Sequence, residues 1–458
     1  MISLLISALM MFLAGAAVPA ETAHDSLARE IFQELIEINT TDAAGDTTKA
    51  AEAMAARLKA AGFPASDVQV LGPNPRKGNL VVRYRGAGTR KPLLLLAHLD
   101  VVEARRDDWS VDPFRFIEKE GYFWGRGTTD DKAMAAVWVA TLIRFRQERY
   151  VPDRDLIVAL TADEEGGTFN GVQWLLSQHR DLIDADYALN EGGESHMKGG
   201  KHLLNSIQPS EKTYQSFRLE VRNAGGHSSR PIKDNAIYRL AEGLARLSRY
   251  EFPVRLNEVT REYYRRMSTL YSGQTAADMT TLARNPSDRA AAVRLSVSPH
   301  NNALLRTTCV ATQLEAGHAE NALPQTARAT VNCRILPGES AADVRATLVR
   351  VLNDSKIAVS SLADAVSSPP SPLRPEVMGA IERITSEMWP GIPVIPMMST
   401  GATDGLYLRN GGIPTYGVSG FFENVDDTRA HGRDERLGVK EFFEGREFLY
   451  RLVKALTS

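Results

Sequence analysis

Leu93-Leu94-Leu95-Leu96-Ala97-His98-Leu99-Asp100 is the stretch that decides the fold. An unbroken apolar run, without the alternation of a half-exposed strand, describes a strand buried on both faces. It ends on a histidine, with an aspartate two residues later. Comparable transitions follow. Leu156 to Thr161 runs into Asp163-Glu164-Glu165-Gly166-Gly167, and Tyr187 to Leu189 runs into Asn190-Glu191-Gly192-Gly193. Gly125-Arg126-Gly127-Thr128-Thr129-Asp130-Asp131-Lys132 leads into a helix. Asn79 to Tyr84 adds another strand. Apolar residues recur at helical spacing over Ser26 to Ile38, Thr48 to Ala61, Ala133 to Gln147 and Gly171 to His179. Short buried strands alternating with helices predict an α/β fold with a mainly parallel, doubly covered sheet. Such sheets bind ligands beyond the carboxyl ends of their strands, so these turns are expected to meet in one crevice.

Each acid in these turns, taken singly, reads as a solvated loop residue. The set reads differently. Asp130-Asp131 and Glu164-Glu165 would repel one another and their neighbours in a shared crevice, and a dication would offset that repulsion. His98 and Asp100 share a face if the strand continues through them, so Asp100 could bond one imidazole nitrogen while the other binds a metal. Imidazole and carboxylate donors without thiolate suit zinc, with cobalt or manganese as substitutes. The two cysteines, Cys309 and Cys333, are too few for a zinc-thiolate site. They lie equidistant from Asn321, which leaves two readings open: a disulfide across a hairpin, or two small buried hydrophobes. Gly-x-Ser-x-Gly is absent, and no serine or cysteine triad competes.

The pattern changes near Thr213. Phe217, Leu219 and Val221 alternate with polar residues, as do Thr307 to Leu314 and Ala327 to Ile335, and helices are expected over Asn235 to Tyr250 and Ser340 to Asn353. This is an α+β pattern around an open antiparallel sheet. Pro369, Pro370, Pro372 and Pro375 mark the return to the first pattern. At 458 residues two domains are the natural expectation. The division reads as a catalytic domain over 21–210 and 364–458, with an inserted lid or dimerisation domain over 211–363. The stretch Arg255 to Ser298 is helical in character and has no evident place.

Residues 1–20 stand apart. Ile2 to Leu13 is apolar and uncharged, and Val18-Pro19-Ala20 offers a cleavage site, although no Lys or Arg precedes the run. This predicts a signal peptide and an exported protein, periplasmic or secreted, with no stable membrane span once the leader is removed. A formal net charge of -2 gives no ground for a nucleic-acid partner.

His98-Leu99-Asp100, Gly127-Thr128-Thr129-Asp130-Asp131-Lys132 and Glu164-Glu165-Gly166 together resemble the signature blocks of the aminoacylase and glutamate carboxypeptidase family of co-catalytic zinc peptidases, in order and spacing. The long insertion and the C-terminal block Arg429-Ala430-His431-Gly432-Arg433-Asp434-Glu435 are most similar to the carboxypeptidase S branch. The resemblance implies two zinc ions per chain. His98 and Glu191 would hold one, Glu165 and His431 the other, and Asp130 would bridge them. Asp100 would orient His98, and Glu164 would be the general base toward a metal-bridging water. His227, in Ala224-Gly225-Gly226-His227-Ser228-Ser229, would help bind the tetrahedral intermediate, in this family often across a homodimer. Asn321, Arg334, Gly401 and Thr403 match substrate-contacting positions, although Asn332 stands where the family commonly has Asp. Asp130-Asp131 resembles a family turn with an unusual peptide bond.

The activity so implied is cleavage of the amide bond in short peptides, by a dipeptidase or carboxypeptidase. The nearest alternative is an N-acyl amino acid amidohydrolase with the same metals and base. A non-catalytic dimeric relative is the alternative of a different class, and the intact ligand set with Glu164 argues against it.

Overall fold

The computed structural model describes residues 22–458. The expected leader lies outside the described residues. A ten-stranded sheet forms the larger body, and its middle is parallel. Arg90–His98 lies between Arg154–Thr161 and Tyr187–Asn190, parallel to both, and Thr415–Gly417 continues the parallel run beside Tyr187–Asn190. Leu93, Leu95 and Ala97 pack on one face, under the helices Ala23–Glu37, Thr47–Ala60, Lys132–Glu148, Pro375–Met388 and Val439–Leu456. Leu94 and Leu96 pack on the other, under Gly171–Gln178 and Gly405–Asn410. Both faces are therefore dry, which is why the run has no polar alternation.

The alternating segments form a second, four-stranded antiparallel sheet in the order Thr308–Ala316, Thr326–Ile335, Thr213–Arg222, Ile357–Ser361. Phe217, Leu219 and Val221 and the odd residues from Ala327 to Ile335 point inward, against the helices Ala236–Leu247 and Ala341–Leu352. The other face is polar. Cys309 and Cys333 are register partners on neighbouring strands and are bonded to each other. Of the two readings left open by the sequence, the structure has the disulfide.

The helical stretch without an evident place forms Glu258–Met267, Gly273–Arg284 and Arg289–Leu295, followed by Pro299–Leu305. Its buried residues, including Tyr264, Leu282 and Leu305, pack with Leu204, Ile395 and Met398 of the large sheet. This part of the insertion thus leans on the larger body rather than on the four-stranded sheet.

The disulfide closes a loop with a sequence separation of 24. Loop-closure entropy predicts that reduction lowers stability by about 3 kcal/mol. The check is thermal unfolding with and without reductant, for the native chain and for the Cys309→Ser, Cys333→Ser pair. Coincident melting of all samples would show that the bridge does not constrain the unfolded chain.

Candidate metal centre

Three of the acid-bearing turns follow parallel neighbours in the sheet, so they reach the same edge. The fourth is brought there by a small three-stranded sheet. Tyr122–Trp124 pairs with Arg436–Gly438, which draws the block containing His431 onto the turn before Lys132. Glu435 then locks the two together. Its carboxylate is fully buried and accepts from the backbone N of Gly127 at 3.1 Å, Thr129 at 2.7 Å and Asp130 at 3.2 Å, and from Arg126 Nη1 at 2.6 Å. Gly127 is at φ +87°, and a Cβ there would come within 2.9 Å of Val101. A side chain would meet both backbone strain and a clash.

Two groups of donors result, sharing one residue. His98, Asp130 and Glu191 form the first; Asp130, Glu165 and His431 form the second. Within each, the ligand atoms lie within 4.8 Å of one another. His98 Nε2 is 2.9 Å from Asp130 Oδ1 and 3.8 Å from Glu191 Oε2. His431 Nε2 is 3.0 Å from Asp130 Oδ2 and 2.9 Å from Glu165 Oε2. Asp130 therefore turns one oxygen to each group. Every ligand residue named from the resemblance lies in one of these two groups. The Asp130–Asp131 peptide is cis.

The donor set fits divalent metal. Glu165 Oε1 and Asp131 Oδ2 are buried without a hydrogen-bond partner. Burial, and then the charge of Glu191, push the carboxyls of Glu164 and Asp131 well above the carboxylate range. Burial also raises Glu191. Burial opposes the charged form of His98, yet Glu191 and Asp130 outweigh it and raise the ring well above its ordinary value. His431 is raised to about 10 by its bonds to Asp130 and Glu165. The protein has gathered more negative charge than its own cations balance, and imidazole with carboxylate oxygen is a donor set for borderline to hard dications.

Asp100 does more than was expected of it, and by different contacts. His98 Nδ1 meets the backbone oxygen of Asp100 at 2.9 Å, while the nearer carboxylate oxygen is 3.7 Å away. The carboxylate instead accepts from Glu164 N at 3.1 Å and Glu165 N at 2.9 Å. One residue thus fixes the imidazole through its backbone and the Glu164–Glu165 turn through its side chain. Asp163 holds the same turn from beneath, accepting from Phe169 N at 3.0 Å and pairing with the buried Lys77. The Glu164 side chain itself makes no hydrogen bond among the described residues, although it follows directly on a held backbone.

The remaining candidates divide. Arg334 reaches the large body: its Nη1 donates to Thr400 O at 3.3 Å, and its guanidinium lies 4.7 Å from the Tyr214 ring centre. Gly401 N is taken by Ser399 Oγ at 3.0 Å. Thr403 gives its hydroxyl proton to Glu211 at 2.9 Å and accepts from Gly405 N at 3.1 Å, so it is engaged in holding its own loop. His227 and Asn321 lie together on an exposed two-stranded ladder, where Ser228 N donates to Asn321 O at 3.1 Å. No hydrogen bond or ion pair joins either of them to the two donor groups among the described residues.

Sequence reasoning gave no role to Glu435, Asp163, Asp404 or the buried Glu211–Arg409 pair. Asp404 is buried, accepts from Asn170 Nδ2 at 2.6 Å and Thr161 Oγ1 at 3.2 Å, and is pushed up to about 7 chiefly by burial. Only Glu435 carried a signal, by standing four residues beyond His431 within the quoted block.

His431 is the exposed member of the second group. His431→Ala should weaken one of two metal-binding steps by roughly 10-fold or more and leave the other close to native. Titration of zinc into metal-free protein reads this directly; two unchanged steps would remove His431 from the site.

Comparison with known proteins agrees with this geometry. Residues 94–455 match the model of Peptidase family M20/M25/M40. The human N-fatty-acyl-amino acid synthase/hydrolase PM20D1 is 29% identical over 381 residues, covering 80% of this chain and 74% of that protein. The probable carboxypeptidase S-like 2 of Dictyostelium discoideum is 29% identical over 397 residues, covering 82% and 74%. Among solved structures, an M20 family metallo-carboxypeptidase from Sulfolobus solfataricus superposes with a TM-score of 0.71 at 17% identity, over 94% of this chain and 99% of that one. The chain belongs to Peptidase family M20/M25/M40.

Proposed function

We propose that this metallopeptidase uses two zinc ions to cleave the amide bond that joins a terminal amino acid bearing a free carboxylate to a short peptide. The observation that carries the reading is Glu164. It is a carboxylate without a hydrogen-bond partner among the described residues, on a turn held by Asp100 and Asp163, directly beside Glu165. When bound, the ions supply Lewis-acid polarisation of the scissile carbonyl and make water a better acid. The protein's own residues do the rest. His98, Asp130, Glu191, Glu165 and His431 hold the centre, Asp100 and Glu435 fix the turns that carry them, and Glu164 takes the water's proton and delivers it to the leaving amine. Arg334 stands where the two bodies meet, at the Thr400 loop, and binds the substrate carboxylate. Metal analysis, followed by rate measurements on dipeptides and on N-acyl amino acids, tests the reading; protein with two metals and no turnover of either class would overturn it.

A second reading, hydrolysis of N-acyl amino acids, is favoured by the resemblance to the human N-fatty-acyl-amino acid synthase/hydrolase. It uses the same residues and differs only in what occupies the acyl side.

Export to the periplasm or beyond remains the proposal for location, supported by the apolar leader and by the Cys309–Cys333 bridge, which oxidising compartments favour. A homodimer through the inserted domain is supported by exposed Val310 and Leu314 on the edge strand Thr308–Ala316.

A further inference from the structure

A cavity of about 310 Å³ has in its wall Glu423, close enough to feel the charge of Asp130, and none of the two donor groups lines it. Glu194, His196, His300, Met397, Thr400 and Glu423 are among its walls. It adjoins the chemistry on two sides. Thr400 is the residue whose carbonyl Arg334 contacts, and Thr428, also in the wall, stands three positions before His431. One wall is peculiar to the insertion. His300 comes from Pro299–Leu305, the end of the helical stretch that packs on the large sheet, and its Nε2 lies 3.2 Å from Tyr263 Oη.

The charge of these walls is one-sided. Among the described residues, no Lys or Arg lines the cavity. Burial holds the rings of His196 and His300 below their ordinary values, so both are neutral at pH 7. Glu423 has no hydrogen-bond or ion-pair partner among the described residues, and Glu194 has only the neutral His196, at 3.9 Å. A half-buried carboxyl without a partner is costly, and a cation placed beside it would stabilise its ionised form. Burial, and then the charge of Glu194, push the Glu423 carboxyl up to about 8, so an entering cation would draw it into its ionised form, whereas an anion would not. Because Arg334 serves the α-carboxylate in the reading above, the cavity is assigned to the other side of the scissile bond. Its volume admits a lysine-sized chain, whose methylenes would lie against Met397 and Val425.

We infer that this cavity receives a cationic group, ammonium or guanidinium, carried by the acyl side of the substrate, and that Glu423 and Glu194 select for it. The inference rests on the amide-hydrolase reading above. The cation has two sources, a basic side chain or the peptide's own N-terminal ammonium.

The test compares kcat/KM for lysyl and norleucyl dipeptides with the same leaving residue, each free and N-acetylated. If the side chain supplies the cation, lysyl exceeds norleucyl by roughly 10-fold in both forms. If the N-terminus supplies it, free exceeds acetylated by a similar factor and the side chain matters little. In Glu423→Gln the selected ratio should collapse toward unity, and Glu194→Gln, at an exposed position, should lower it in the same direction. Metal content measured on each variant separates this effect from damage to the centre. Ratios near unity in the native enzyme, a preference for the neutral acylated substrates, or ratios untouched by both variants would overturn the inference. Calorimetric binding of lysine, norleucine and N-acetylnorleucine gives a reading that needs no turnover. Absence of hydrolysis on every substrate sinks the hydrolase reading, while equal affinities for all three ligands sink this one.

Discussion

Glu164→Gln should keep two metals per chain and lose most of its turnover. The substitution replaces a carboxylate with an amide of the same shape, so the turn has no steric reason to move. The contacts that hold that turn come from the backbone N of Glu164 and Glu165 to Asp100 and from Phe169 N to Asp163, and the substitution touches none of them. Neither ligand group includes Glu164. What is lost is an acceptor for a proton. Burial, and then the charge of Glu191, raise this carboxyl above its ordinary value, so once ionised it is a stronger proton acceptor than a free carboxylate. Removing a general base typically costs ~10²–10⁴-fold in rate. The loss should fall on kcat, because the Glu164 side chain has no hydrogen-bond partner among the described residues and so no part in holding the resting site together. Metal analysis and steady-state rates decide together. Native turnover with full metal would remove Glu164 from the mechanism; loss of metal would make it a ligand.

The parallel sheet and the two donor groups were legible in the sequence for different reasons. Leu93 to Ala97 is legible because a strand covered on both faces has no polar position, and nothing else of that length looks the same between two turn signals. The inward alternation of Phe217, Leu219 and Val221 is as plain, since one face of that sheet is wet. The donor groups are legible because a metal site requires particular residue types whatever the surrounding packing. Contacts made by one residue on a distant one left no such trace. Glu435 could have been read as one more loop acid, since its donors come from a turn roughly 300 positions earlier. The helices from Glu258 to Leu305 are amphipathic, but amphipathicity names a buried face without naming what covers it. Their packing on Leu204, Ile395 and Met398 is a tertiary fact. Asp100 shows the intermediate case. Its spacing from His98 is local and was visible, whereas the choice between its backbone oxygen and its carboxylate depended on where the Glu164 turn came to rest.

Arg334→Lys should cost the enzyme its recognition of a free C-terminal carboxylate. Arg334 lies on Thr326–Ile335, on the polar face of the four-stranded sheet, opposite the inward Cys333 and Ile335. Its side chain spans from that sheet to the Thr400 loop, with Nη1 on Thr400 O and the guanidinium beside the Tyr214 ring. This single backbone contact, at 3.3 Å, leaves the other guanidinium nitrogens free to form the paired, charge-assisted bonds that a carboxylate accepts. Lysine keeps the charge but has neither the planar fork nor the stacking face, so it would lose the second bond and the Tyr214 contact together. A hydrogen bond to a charged group contributes about 1.5–3 kcal/mol, which predicts a fall of roughly 10- to 100-fold in kcat/KM on free-acid substrates. The loss should appear mainly in KM, with a share in kcat if the contact also draws the inserted sheet toward the metal centre. Substrates amidated at the C-terminus present no anion to this residue, so they should be poor for the native enzyme and nearly indifferent to the substitution. The measurement is a two-by-two comparison of native and Arg334→Lys enzyme on a dipeptide and its amide. Equal losses on both substrates would mean that Arg334 props the Thr400 loop and does not read the carboxylate.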